Sequence, residues 1–386
     1  MVIPVYKEDR AQEVLLSLDS CEDPSCQVVV FFLINQPENA SPDIKEVNSV
    51  AFVNIEKAIN TTKSSWLHPL VQQVNLPRKH AGVGLARKIG MDDAVRWFEQ
   101  LNNPHGIILC LDADCMVSSN YFVKIHRHFE ENPETPGASI HYEHPLVGAL
   151  PDQNYRAIVN YELFLRYYIH AQRYTGFPHA FQTVGSSMAA RSWAYQKQGG
   201  MNRRKAGEDF YFLNRIIQLG NFTEIKGCCV VPSPRVSDRV PFGTGKDIGK
   251  QIHEALVSSY YTYHPMSFIE LKLFFDNIHD YYLNYSDTNR FPKTILSFLK
   301  HYGETKNLEH LKDSVKTLNT FLDRFYQWFD AFKIMKYVHY IRDNHHQDVP
   351  IQQAIEWLFG EIGLPFSPNS IRDNLMTLRA YDRNME

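Results

Sequence analysis

Short continuous apolar runs alternate with amphipathic stretches over the first two-thirds of the chain, the pattern of an α/β domain. Residues 2–5, Val-Ile-Pro-Val, read as a strand, and helical periodicity follows over residues 9–18. Residues 28–34 form a second strand, ended by Asn35-Gln36-Pro37. A polar stretch then leads to a helix over residues 84–100, with Trp97 and Phe98 on its apolar side. Residues 106–111 are apolar throughout, as in a strand buried on both faces of a mainly parallel sheet. This run stops abruptly at Asp112-Ala113-Asp114. Further strands are expected at 138–142 and 183–190, with helices at 155–174 and at 210–219, the latter stopped by Gly220.

Beyond about residue 252 the strand-like runs cease. Helical patterns succeed one another over 266–285, 293–301, 308–340, 351–359 and 370–381, punctuated by Pro265, Pro292, Pro350 and Pro365. The expected organisation is an α/β domain over 1–250 and an all-α domain over 251–386, with a blurred border near 245–265. Phe321, Phe325, Trp328, Phe329 and Phe332 recur at helical spacing, as a core or an interface requires.

Composition narrows the function. Among 386 residues, 40 Lys and Arg against 43 Asp and Glu give a net charge of −3, which excludes the strongly basic surface of a general nucleic-acid binder. Hydrophobic residues at 44% exclude a disordered chain. No apolar run reaches the ~18 residues of a membrane span, and Met1 leads into a strand without a basic leader, so a cytoplasmic protein is expected. The six cysteines read as reduced thiols, and none forms a Cys-x-x-Cys zinc pair. Asn-x-Ser/Thr triplets at Asn39, Asn60, Asn221 and Asn284 read as chance matches.

Three clusters carry chemistry. Asp112 and Asp114 follow a buried strand, at the sheet edge where open α/β sheets bind ligands. Two carboxylates on one short turn repel unless a cation neutralises them, and hard oxygen ligands suit Mg²⁺ or Mn²⁺; a solvated turn is the bland alternative. Pro4-Val5-Tyr6-Lys7-Glu8 leaves backbone groups, a ring and a carboxylate at the end of the first strand. Glu208-Asp209 opens an amphipathic helix after Gly199-Gly200; such acids are ordinary helix-start residues and are also held rigidly enough to act as a base. Neither Gly-x-Gly-x-x-Gly nor a P-loop sequence occurs.

In order and spacing, these segments together with Gly84-Leu85-Ala86-Arg87-Lys88-Ile89-Gly90 resemble family 2 glycosyltransferases over residues 1–245. The resemblance implies a GT-A, Rossmann-like nucleotide-sugar-binding domain with a mainly parallel mixed sheet. It implies transfer of a sugar from a UDP- or GDP-sugar to a hydroxyl of a glycan or lipid-linked acceptor, with inversion and the help of a divalent cation. It places Pro4, Val5, Tyr6, Glu8, Asn35, Arg87, Asp112, Ala113, Asp114, Gly199 and Gly200 at the nucleotide sugar, with Asp114 and Asp112 on the metal. Ser186, Glu208, Arg235 and Arg239 fall on the substrate and acceptor side, and Asp209 is the catalytic base. The reading is compatible with peripheral attachment to the inner face of a membrane and with a homo-oligomer.

One departure concerns the metal. Many relatives of this kind place a histidine ligand after the Glu-Asp pair, whereas residues 233–246 contain none. Arg235, Arg239 and Lys246, on a mobile Gly-rich loop, are the alternative neutralising groups. His253 reads as an ordinary helix residue, and His141 and His144 read as polar-loop residues, with the acceptor side as the alternative. The absence of Gln-x-x-Arg-Trp points to addition of a single sugar. A nucleotide-sugar or glycan binding protein without turnover is the alternative function.

Overall fold

The computed structural model describes residues 1–240, 243–254, 260–283 and 287–385. The chain divides into two compact units, residues 1–155 with 182–249 and 385–386, and residues 156–181 with 250–384.

The first unit is built on an eight-stranded mixed sheet. Its strands are β1 (Val2–Val5), β2 (Val28–Pro37), β3 (Leu67–Leu76), β4 (Ile107–Cys110), β5 (Cys115–Val117), β6 (Gly137–Tyr142), β7 (Met188–Arg191) and β8 (Thr223–Pro232), in the order β3-β2-β1-β4-β7-β6-β8-β5. β1 runs parallel to β2 and β4, β2 to β3, and β6 to β8, while β4 with β7, β6 with β7 and β5 with β8 are antiparallel. Its helices are α1 (Gln12–Asp19), α2 (Pro42–Ile59), α3 (Val83–Gln100), α4 (Tyr121–Glu131), α6 (Ser192–Lys197) and α7 (Glu208–Ile217), while α5 (Asp152–Tyr174) and α8 (Thr244–His253) begin in this unit and belong to the second from residues 156 and 250. The mainly parallel α/β architecture expected from the apolar runs is therefore present.

Strand order creates a crevice. β1 leads to β2 on one side, and the chain later returns to its other side as β4, which makes a switch point of the kind where α/β sheets bind ligands. Pairing between β1 and β4 is confined to Val2 opposite Cys110, with Leu111 N–H donating to Val2 C=O at 3.1 Å. In a parallel ladder alternate residues bond to the same neighbour, so Pro4 presents its backbone toward the β4 side. Proline has no N–H to give there. The two strands part beyond Val2, and their following residues frame the opening.

Two elements of the unit lie in the stretch that reads as polar loop. Helix α2 opens with Ser41 and then Pro42 at its first position, and buries Asn48, Ala51, Ile55 and Ala58. Strand β3 alternates exposed and half-buried residues and carries Pro69; both features fit its place at the sheet edge. The expected Gly-rich loop is shorter than anticipated, because Gly245 and Lys246 lie in α8; Pro241 and Phe242, part of that expectation, lie outside the described residues.

The second unit is helical. Besides α5 from residue 156, it contains α9 (Pro265–Asp276), α10 (Ile278–Leu283), α11 (Lys293–His301), α12 (Thr305–Asp313), α13 (Leu318–Trp328), α14 (Ala331–Asn344), α15 (Ile351–Ile362) and α16 (Ile371–Asn384). A two-residue ladder between Tyr261–Thr262 and Val349–Pro350 is its only strand pairing among the described residues. The periodicity over 308–340 is realised as three helices, and the expected helix over 266–285 breaks at Asn277, its final residues lying outside the described ones. Phe321, Phe325 and Phe329 are buried core, as their spacing predicts. Glu162, fully buried, accepts from Arg166 at 2.9 and 3.0 Å and from Arg379 at 2.6 and 2.7 Å, so its charge is countered inside the unit.

Candidate active site

The residues leaving the C-terminal ends of β1 and β4 meet at the crevice. Glu8, 4% exposed, follows β1, and Asp112 and Asp114 follow β4. Ala113 between them is buried, so the turn is anchored while both carboxylates remain accessible. From α3, Arg87 reaches the same place from within the fold: it is 3% exposed and donates through Nη2 to Asp112 Oδ1 and through Nη1 to Glu208 Oε1. Burial opposes its charge, but Asp112 and Glu208 more than offset this and raise its pKa.

Glu208 and Asp209 begin α7, whose preceding residue Gly207 has φ +69°, a conformation suited to glycine. Asp209 is half-buried, and its Oδ1 accepts from the N–H of Phe210 at 2.8 Å; the N–H of Gly185 is a further donor to this carboxylate. Desolvation raises the pKa of Asp209, Arg87 pulls against that, and Asp112 adds to it. Desolvation likewise raises Glu208, against Arg87 and with Asp209. One guanidinium thus faces three carboxylates, and the Glu208–Asp209 pair takes its proton above the ordinary carboxylate range.

Gly185 completes this cradle. A Cβ at Gly185 would run into the Arg87 guanidinium. That guanidinium is pinned by two carboxylates and cannot swing aside as an exposed arginine would. Gly185→Ala should therefore destabilise the fold by about 1–3 kcal/mol, read as a lowered midpoint in thermal or urea unfolding. A midpoint equal to that of the unsubstituted protein would show that the cradle is looser than this geometry.

A second charged cluster lies on the other side of the turn. Arg235 donates to Asp114 Oδ2 from Nε at 3.0 Å and from Nη2 at 2.8 Å, and to Glu8 from Nη2. Arg239 donates to Asp114 Oδ2 at 3.2 Å, to Glu8 Oε2 at 3.3 Å and to the Tyr6 carbonyl at 3.0 Å. Together the two clusters hold five carboxylates and three guanidiniums, a surplus of two negative charges when every group is ionised.

The other residues singled out from sequence fall into distinct places. Pro4 and Val5 are buried in β1, where Val5 C=O accepts from Asn35 Nδ2 at 2.9 Å. Asn35 therefore ties the ends of β1 and β2 together, and Asn48 Nδ2 in turn donates to the Asn35 carbonyl at 3.2 Å. Tyr6 is half-buried at the mouth of the crevice. Gly199 and Gly200, with φ +74° and +73°, end α6: their N–H groups donate to the Gln196 and Tyr195 carbonyls at 3.0 and 2.9 Å. Ser186 is buried beside Gly185, and its hydroxyl interacts with the Cys115 thiol. His253 lies in α8, as read from sequence.

Gly185, Asn48 and the pairing of Glu8 with Arg235 were not legible in the sequence. Glu8 and Arg235 are 227 residues apart, and no local pattern announces such a contact.

No family model matches the chain, and no curated protein matches it. Two solved structures of residues 1–349 of S. aureus TarS, one of them in complex with UDP, are similar over 99% of this chain and 90% of theirs, each at 13% identity, with TM-scores of 0.39 for the UDP complex and 0.36 for the other. At that degree of overlap neither similarity bears on what this chain does; the sheet and the site do.

Proposed function

We propose that this protein is a glycosyltransferase that moves one sugar from a nucleoside diphosphate sugar to an acceptor hydroxyl, with inversion at the anomeric carbon. The observation that carries the reading is the convergence of Glu8, Asp112, Asp114, Glu208 and Asp209 on the β1/β4 crevice, with Arg87 joining the Asp112 turn to the start of α7. A ligand seated there has an acidic turn for its ribose and diphosphate end. At its other end lies a carboxylate of raised pKa.

The acceptor hydroxyl loses a proton as its oxygen attacks, and Asp209 is the group placed to take it. Its fixed position, held by the N–H groups of Phe210 and Gly185, aims the basic oxygen without a search through rotamers. Glu208, locked on Arg87, serves to position sugar or acceptor. Arg235 and Arg239 sit where the diphosphate would lie, and by turning from Asp114 to phosphate oxygens they would counter the charge of the leaving group.

A divalent cation fits the acidic turn. Ligand atoms of Asp112, Asp114 and Cys115 lie within 4.8 Å of one another, and the arginine contacts use Oδ1 of Asp112 and Oδ2 of Asp114. Burial raises the Cys115 thiol well above its ordinary pKa, so the two carboxylates are the hard ligands for Mg²⁺ or Mn²⁺. Bound there, such an ion would neutralise charge developing on the diphosphate.

Transfer assayed with and without excess EDTA tests this assignment. The expected result is loss of transfer on chelation, restored by Mg²⁺ or Mn²⁺, and no restoration in Asp114→Ala. Full transfer in EDTA would assign the neutralising role to Arg235 and Arg239 alone.

A further inference from the structure

Away from the acidic turn, three side chains with metal-binding atoms gather on the second half of the sheet. His141 lies on β6 and Glu143 just beyond it; two residues apart, they project to the same side of the pleat. Cys229 comes from β8, which runs beside β6. The register between these strands jumps from Ile140 opposite Ile225 to Tyr142 opposite Val230, and that irregularity brings Cys229 level with His141. The Cys229 backbone is fixed on both sides, its N–H donating to Ser118 Oγ at 3.0 Å and its C=O accepting from Ser118 N–H at 2.9 Å. His141 Nε2 lies 2.8 Å from Glu143 Oε1, with side-chain exposures of only 6% and 13%. One ligand atom from each of the three residues lies within 4.8 Å of the others.

We propose that His141, Glu143 and Cys229 form a binding site for a divalent transition-metal ion of the zinc type. A mixed imidazole, carboxylate and thiolate set suits zinc and its neighbours, whereas the carboxylates of Asp112 and Asp114 suit Mg²⁺ or Mn²⁺. Tetrahedral nitrogen and oxygen ligands around zinc stand about 3.4 Å apart. The three ligand atoms, within 4.8 Å of one another, lie near that spacing, and β6 and β8 already hold the Cα atoms of His141 and Cys229. On binding, the Cys229 thiol gives its proton to solvent and the resulting thiolate takes the metal. Three protein ligands leave a fourth position for water or a small ligand, and the ion clips β6 to β8.

Cobalt reports on such a site independently of enzymatic activity. The full chain, stripped with a chelator and dialysed, is titrated with Co²⁺ and followed by absorption. The expected result is a sulfur-to-cobalt charge-transfer band saturating at one equivalent and bleached by one equivalent of Zn²⁺. Cys229→Ser should abolish the band, and His141→Gln should weaken Co²⁺ binding about tenfold or more; Asp114→Ala and Cys115→Ser should leave both unchanged. His141→Gln keeps the thiol, so it tests the site even where Cys229→Ser fails to fold. Absence of the band, its survival in Cys229→Ser, unaltered affinity in His141→Gln, or its loss in Cys115→Ser would overturn the proposal.

Discussion

Asp209→Asn should lower turnover by ~10²-fold or more while leaving donor affinity within a few-fold of the unsubstituted value. The substitution keeps shape and an oxygen that can accept from Phe210 and Gly185 but removes the proton acceptor. Under the proposed function Asp209 works as a base only when ionised, and burial raises its pKa. The acid limb of kcat/KM should therefore lie above the ordinary aspartate range, with activity rising as pH rises through it. Because Glu208 and Asp209 titrate together, the limb belongs to the pair. Steady-state kinetics across pH, with donor binding measured by calorimetry, would check both parts. Unchanged turnover with weakened affinity would make Asp209 a binding residue.

The other large effect is expected at Arg87. Replacing it with Met keeps much of the buried volume but leaves Glu208 and Asp209 without their counter-charge, beside Asp112. Breaking a buried ion pair from one side costs about 3–5 kcal/mol, and urea unfolding near neutral pH should show a loss of that order. The sign with pH follows from the carboxylates. Without the guanidinium their pKa values rise further, so the penalty shrinks as pH falls through those values and they protonate. Adding Glu208→Gln should recover part of the stability. Arg87→Met with an unchanged unfolding midpoint would mean that water, not Arg87, solvates these groups.

Much of the scaffold was legible because its strands are buried on both faces. β1 and β4 are continuous apolar runs, and a buried run that stops at Asp112 places that residue at a sheet edge on its own pattern. α3 and α7 show apolar periodicity, and Arg87 and Asp209 could be placed on them. What stayed hidden depends on distant residues. β3 is an edge strand with polar alternation and a proline, which reads as loop until a neighbour supplies its partner. β8 carries Gly227 and an irregular register, so its pairing with β6 and β5 leaves no clean local pattern. The roles of Gly185 and Asn35 are set by what stands across the crevice, Arg87 for one and the Val5 carbonyl for the other. A strand end can be read from its own residues, but a charge cluster assembled from five segments cannot.

The assignment rests on a nucleoside diphosphate sugar seating in the β1/β4 crevice, and thermal unfolding with a panel of UDP- and GDP-sugars in Mg²⁺ or Mn²⁺ tests that most directly. A ligand at 100 times its Kd stabilises the native state by about 2.7 kcal/mol. The prediction is that at least one member of the panel raises the midpoint, that the free nucleoside diphosphate does so too, and that Asp114→Ala abolishes both shifts. If no nucleotide sugar shifts the midpoint and calorimetry detects no heat of binding, the crevice does not hold the donor.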